Sequence, residues 1–325
     1  MGGRAEKEAQ AKEKMLIKLS QLPEIFTLFY DWMDAREQSY TTMNNYINHV
    51  IEFMNFYTRG KANEKFYETV SDNDIEKYMS SLRRKIVDGE EVGNGDEIRA
   101  AKWSSLNKFF KFLSQKKHID NNPMLLTERP KIKTTHDVVY MTPEEIESVM
   151  MRVREESKPR TRNRDLCIMA MGLGTALRVS AIVNINVEDI DFKTNTIRVI
   201  EKGRKTKDVK FSENLRNLLL IWLKDRELFY DGNTESGPLF LSQLKTRLSV
   251  DRVEKMVKKY TDHLPKKITP HKLRSSAAMN LYGSGVDLLT IASILGHESV
   301  TTTQRYTKAY DEEKQKATDI LDKLF

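Results

Sequence analysis

Arg178, Lys202, His271, Arg274, His297 and Tyr306 follow one another in that order through the second half of a 325-residue chain. Residues of these types could break a phosphodiester bond without a metal ion or a nucleotide. Such a reaction needs a side chain as nucleophile, so that the energy of the broken bond is kept in a covalent intermediate. A tyrosine suits, because a phenolate is less basic than an alkoxide and its phosphate ester is reversible. The pentavalent transition state gathers negative charge, which calls for fixed cations, and the planar fork of arginine grips two phosphate oxygens. The leaving 5′ oxygen needs a proton from a general acid.

The local contexts are short and distinct. Arg178 stands in "GTALRVSAIVNI", Lys202 in "IEKGRK", His271 and Arg274 in "TPHKLRSS", and His297 in "LGHES", nine residues before Tyr306. Arg178 closes the apolar run "MAMGLGTAL". Burying a charge there is costly unless something compensates it, and a bound phosphate would do so.

Other chemistries lack their residues. There is no GxxxxGK[ST] loop to cradle a nucleotide, no HExxH or clustered His/Asp spacing for a metal, and no dinucleotide fingerprint. The lone Cys167 excludes a disulfide framework and a cysteine zinc site. No cofactor and no metal are therefore expected. No apolar run approaches the roughly 18 residues of a membrane helix, and "MGGRAEKEAQAKEKM" is too charged for a secretory signal. These features point to a cytoplasmic protein with no membrane partner.

The net charge is +7, with +2 carried by residues 1–135 and +5 by the remainder. Base is concentrated in "KPRTRNR" (158–164), "EKGRKTK" (201–207) and "KMVKK" (255–259). Such clusters suit a polyanion, of which nucleic acid is the commonest. Lys131, Lys133, Lys158, Arg160, Arg162, Arg164 and Lys205 are the candidate phosphate contacts.

The elements that must position these residues fall into two parts. Residues 1–20 read as a charged arm, and 21–120 as an all-α bundle of four helices. In "SYTTMNNYINHVIEFMNFY", Ser39 is placed to cap a helix whose Met43, Ile47, Val50, Ile51 and Met54 form one apolar stripe. Ser71 is placed to cap the next, and Trp103, Leu106, Phe110 and Leu113 line the fourth. These aromatics read as core rather than as base-stacking platforms. Residues 121–141 form a basic linker with two prolines, expected to run extended. The last part, 142–325, is mixed. Thr142 with Pro143 at the first helical position opens it. "DLCIMAMGLGTAL" reads as a buried helix, and "NTIRVIEKGRKTKDVKFS" as a β-hairpin turning at Gly203. The fold class is thus mainly α with a small β-sheet.

The ordered set of motifs resembles the tyrosine recombinases of the phage-integrase family, in the layout of its Xer and integrase members. "TALRVSAIVNINVEDID" resembles the family's first-arginine box, and "IRVIEKGRKTKDVKF" its hairpin with the catalytic lysine. "ITPHKLRSSAAMNLYGSGVDLLTIASILGHESVTTTQRYTKA" resembles its HxxR, LGH and tyrosine boxes in one run. The match covers most of residues 142–310, and the bundle resembles the family's core-binding domain by pattern. Two supporting positions depart from the family. Ala181 stands where it has a glutamate and Ser275 where it has a histidine.

The resemblance implies an N-terminal core-binding bundle and an α+β catalytic domain that together clamp DNA. Arg178 and Arg274 would hold the scissile phosphate, and Lys202 would protonate the 5′ oxygen. His271 would assist proton transfer, His297 would hydrogen-bond the phosphate, and Tyr306 would form a 3′-phosphotyrosyl bond. Lys205 and Lys207 are rivals for the acid role; Lys202 is preferred because it precedes Gly203 at the turn. The implied partner is a double-stranded recombination site. The implied assembly is a homotetramer in the synapse that exchanges its C-terminal tails ("KATDILDKLF") and passes through a Holliday junction; an accessory protein is possible in this family. Two other readings share these residues. One is a type IB topoisomerase, with the same chemistry and no synapsis. The other is a non-catalytic DNA-binding regulator on the same fold.

Overall fold

Two serines and a threonine start helices where their hydroxyls can satisfy the first free amide groups. In the computed structural model, Ser39 Oγ accepts from the Thr42 amide, and Ser71 forms a capping box with Asp74. Thr142 forms a second capping box with Glu145, with Pro143 at the first helical position. The described residues are 12–61, 63–83, 86–87, 90–91, 95–132, 138–200, 206–230, 236–296, 303–304 and 306–311. The chain divides into two compact units, Met1–Thr134 and Thr135–Phe325.

The first unit is a bundle of α1 (Glu24–Asp34), α2 (Tyr40–Thr58), α3 (Asp72–Ser81) and α4 (Asp96–Gln115). Two two-residue strands, β1 (Ile86–Val87) and β2 (Glu90–Glu91), pair antiparallel between α3 and α4. Phe109 of α4 sits at the centre of the core. Its ring lies 5.2–6.3 Å from those of Phe26, Phe29, Phe66 and Phe112. Phe53, Phe110 and Leu113 are fully enclosed beside it. Aromatic pairs at such spacings add stabilisation beyond the area they bury.

Both edges of this bundle differ from the sequence reading. Residues 12–19 are helical, and Met15 and Leu19 are buried in the same core, so this part of the expected arm packs on the bundle. In the expected linker, Pro123–Leu126 form a 3₁₀ turn opened by the Asn122 side chain. Met124 enters the core there, and Thr127 accepts a hydrogen bond from the Trp103 indole at 3.1 Å. The residue before proline, Asn122, is extended as its neighbour requires.

The second unit begins with α5 (Pro143–Glu156) and α6 (Pro159–Gly174). A short α7 (Val179–Asn184) leads into the antiparallel strands β3 (Ile190–Asp191), β4 (Thr196–Ile200) and β5 (Thr206–Lys210). Ile197 and Val199 of β4 point inward, as alternation predicts. The β4–β5 register pairs Ile200 with Thr206, and the turn expected at Gly203 lies outside the described residues. Four further helices complete the unit: α8 (Glu213–Tyr230), α9 (Val250–Thr261), α10 (Pro270–Gly283) and α11 (Leu288–Leu295). Residues 306–311 are helical too. The chain is mainly α with a small sheet, as expected. No described helix is long and apolar enough to cross a membrane.

Candidate active site

Helix α10 is the spine of the candidate site. Pro270 starts it, which leaves His271 exposed on the first turn and turns Arg274 inward. Arg274 is 3% exposed. Its Nη1 donates to the Ala176 carbonyl at 2.7 Å, and its Nη2 donates to the Leu295 carbonyl. One guanidinium thus ties the turn before Arg178 to the end of the helix before His297. Gly172 of α6 packs closely on α10: a Cβ there would lie 3.0 Å from Leu273 Cδ1, so a larger residue would require that side chain to give way by a few tenths of an ångström.

Ala176 accepts this bond from a left-handed backbone, with φ of 52°. That conformation is costly for a residue with a Cβ. It ends the buried helix abruptly and delivers Arg178 to the surface as the residue preceding α7. Here the sequence reading is corrected: Arg178 is exposed, so no burial penalty calls for a phosphate. The turn that carries it to the surface is held from inside by Arg274.

Tyr306 is fully enclosed. It packs in a small cluster with Ala176, Ala277, Ala278, Met279, Ile291, Leu295 and Ala309. The polar residues ahead of it suggested a segment reaching outward, yet Thr303 is buried as well. The cluster is lined by the same elements that Arg274 joins. Alanines at 277 and 278 leave the room that the phenol ring fills.

Lys207, a rival for the acid role, is engaged elsewhere. Its Nζ donates to the Ser293 carbonyl at 2.7 Å and lies 3.5 Å from that of Ile294. Lys202, Lys205 and His297 lie outside the described residues, as does Lys133. Of the two positions that depart from the family's usual residues, Ala181 is half-buried against the main core, and Ser275 is buried with its hydroxyl 3.4 Å from the His271 carbonyl. The entering chain is pinned to α10: the Met141 amide donates to Ser276 Oγ at 2.8 Å, and Asn280 Nδ2 donates to the Met141 carbonyl at 2.9 Å.

The expected phosphate contacts separate into exposed and committed residues. Lys131 and Lys158 are exposed. Arg160 is exposed but donates to the Phe229 carbonyl at 2.5 Å and stacks on the Tyr230 ring. Arg162 is half-buried and donates to the Ser157 carbonyl at 3.3 Å. Arg164 is not a surface cation, and its expected DNA contact is set aside. It is buried against Asp165 at 2.8 Å and donates to the Leu241 carbonyl at 3.0 Å. Tyr260 completes that network, donating to Asp165 at 3.1 Å, and burial pushes the Asp165 carboxyl above its ordinary range. No group of acidic, histidine or cysteine side chains that could hold a metal occurs among the described residues.

The second unit thus brings Arg274 onto Ala176 and Leu295, both members of the cluster that holds Tyr306. Residues 139–313 match the phage integrase family, and the chain belongs to it. It is 32% identical to the tyrosine recombinase XerC of Caldanaerobacter subterraneus subsp. tengcongensis, over 94% of this chain and 89% of that protein. It is 28% identical to XerC of Syntrophus aciditrophicus, over 88% and 93% respectively. In fold it is similar to the XerH site-specific recombinase in a post-cleavage complex with its palindromic difH substrate, with a TM-score of 0.74 and 19% identity over 97% of this chain and 89% of that one. A lambda integrase dimer bound to a COC′ core site has a TM-score of 0.65 and 18% identity, over 88% and 94%. The activity is that of a site-specific tyrosine recombinase.

Proposed function

We propose that the chain cuts and rejoins double-stranded DNA at a specific site through a 3′-phosphotyrosyl intermediate. The observation that carries this reading is Arg274. From inside α10 it joins the backbone two residues before Arg178 to that two residues before His297, and Tyr306 fills the cluster alongside.

In the first step the Tyr306 oxygen attacks phosphorus, and the bond to the 5′ oxygen breaks. Arg178 and Arg274 bind the non-bridging oxygens, and His297 adds a hydrogen bond. His271 receives the phenol proton, and Lys202 supplies one to the 5′ oxygen. A 5′ hydroxyl from the partner strand then attacks the phosphotyrosine and releases the enzyme. No nucleotide is consumed, because the covalent bond stores the energy. Since Tyr306 is buried, its segment must turn outward for attack. Two rounds of exchange pass through a Holliday junction.

The unit Met1–Thr134 serves as the core-binding part and Thr135–Phe325 as the catalytic one. Four protomers form the synapse, and the tail "KATDILDKLF" docks on the neighbour through its apolar stripe. The protein works in the cytoplasm, where its DNA is.

The test is covalent capture. Junctions formed in cells are sequenced to define the site, and a duplex of that sequence is incubated with protein in excess EDTA. A DNA-linked species that survives boiling in detergent should form, and a nucleotide adduct should map to the peptide containing Tyr306. It should be absent with Tyr306→Phe. An adduct on Tyr282 or Tyr310, or a requirement for magnesium, would overturn the reading. Relaxation of supercoiled plasmid without strand exchange would favour the topoisomerase alternative instead.

A further inference from the structure

The carbonyls of Ser293, Ile294 and Leu295 form the last turn of α11, immediately before Gly296 and His297. A helix end of this kind exposes acceptors without intrahelical partners and carries partial negative charge. The Gly296 amide, in a left-handed residue with φ of 58°, returns only to Ala292 and Ser293. Two cations from distant parts of the chain also reach this turn. Arg274 of α10 donates to Leu295, and Lys207 of β5 donates to Ser293 at 2.7 Å, with Ile294 at 3.5 Å.

Lys207 belongs to the strand that pairs with β4, and the hairpin joining them carries Lys202. A single side chain therefore couples the strand after Lys202 to the helix end before His297. We propose that Lys207 is a positioning residue for strand transfer: it fastens the hairpin that brings the general acid to the helix end that brings His297, so that both meet one phosphate in fixed relation. Lys202 keeps the role of acid in this reading, and Lys207 is given the fastening because its ammonium reaches the main-chain carbonyls of the helix end. Ala176, Arg274, Leu295, Ser293 and Lys207 then form one chain of contacts behind the phosphate, running from the turn before Arg178 to the hairpin. This assignment rests on the reading of Lys202 and His297 given above.

The geometry of the fastening sets what a substitution should do. Arginine at 207 can still donate to two carbonyls; alanine cannot. A displacement of about 1 Å in a catalytic group costs on the order of a hundredfold in rate. Lys207→Ala should therefore slow formation of the covalent species by about ten- to a hundredfold, and Lys207→Arg should restore most of it.

The decisive experiment uses the full chain on a duplex of the mapped site, with and without sulfur in place of the scissile 5′ oxygen. A thiolate leaves without a proton, so sulfur rescues a lost or displaced general acid and does not rescue a displaced phosphate ligand. Lys202→Ala should recover in full on the sulfur duplex, whereas Lys207→Ala, which also loosens the helix end before His297, should recover only in part. Hydrogen exchange at the amides of 293–296 should quicken in Lys207→Ala without DNA, and return to the original rate in Lys207→Arg. Full recovery of Lys207→Ala on the sulfur duplex, with exchange at 293–296 unchanged, would overturn the proposal by making Lys207 the acid. Unchanged exchange together with an unchanged rate would overturn it by showing that the contact positions nothing. Covalent product from Tyr306→Phe would instead sink the underlying site assignment, and leaves a distinct mark on the gel.

Discussion

The buried guanidinium of Arg274 donates to the carbonyl of Ala176 at 2.7 Å, two residues ahead of the exposed Arg178. The two arginines expected to share a phosphate therefore have opposite surroundings, and their substitutions should separate. Arg274→Ala strands two carbonyls inside the unit, each worth roughly 1–3 kcal/mol when left without a donor. Arg178→Ala removes an exposed side chain, and its loss of stability should be the smaller of the two. Both should slow formation of the covalent species by on the order of 10² to 10³, the usual cost of losing one preorganised donor. Urea unfolding beside single-turnover cleavage checks this. Equal stability of the two variants would refute the division of labour.

Arg164 and Lys158 make a second pair with opposite fates. Removing Arg164 leaves Asp165 buried without its counter-charge, and breaking a buried pair in this way costs about 3–5 kcal/mol. Arg164→Ala should thus lower stability. Lys158 is exposed, and Lys158→Ala should leave stability alone while reducing the slope of log affinity against log salt by about one unit, the share of one phosphate. Fluorescence anisotropy on a labelled duplex from 50 to 200 mM salt resolves that change. A full salt slope in Lys158→Ala would remove it from the interface.

How much of this was legible in the residues depends on the range of the physics involved. Caps are local, so Ser39, Ser71 and Thr142 announce their helices within three residues, and the structure agrees. Inward alternation at Ile197 and Val199 is equally local. The burial of Arg164 was not legible, because it depends on the Leu241 carbonyl 77 residues away. "DL" after "NR" did carry a hint, since an adjacent Asp165 offers an ion pair to any arginine that turns inward. Arg178 misled for a related reason: the run before it is apolar, but the left-handed Ala176 turns the chain out of the core. The link from Lys207 to α11 spans 86 residues and has no local trace at all.

His49 predicts an acid-sensitive bundle. It sits between α2 and α4, with Nδ1 2.8 Å from Ser105 Oγ. Burial holds the imidazole below its ordinary range; Glu52 opposes that shift and Lys102 adds to it. The unfolded chain thus takes up a proton that the folded chain refuses, and stability present above the unfolded value near 6.5 is lost as pH falls below it. His49→Gln should flatten that part of the stability profile, with the difference between the two proteins growing from pH 7 to pH 5. Parallel profiles in urea titrations across that window would show that His49 contributes nothing to the acid response.

Tyr306 combines the roles of core residue and nucleophile, and its substitutions should pull the two apart. The ring is wholly enclosed by Ala277, Ala278, Ile291, Leu295 and their neighbours. Tyr306→Phe keeps the ring and should cost about 1 kcal/mol or less in stability while abolishing the covalent species. Tyr306→Ala empties the cluster, and losing a large buried ring costs about 3–5 kcal/mol. The same burial should shield the phenol from nitration in the free protein, while Tyr140, Tyr282 and Tyr310, all partly exposed, react first. Peptide mapping after brief treatment reads the order. If Tyr306 were nitrated as fast as these three without DNA, the enclosed state would not be the resting one, and no outward turn would be needed before attack.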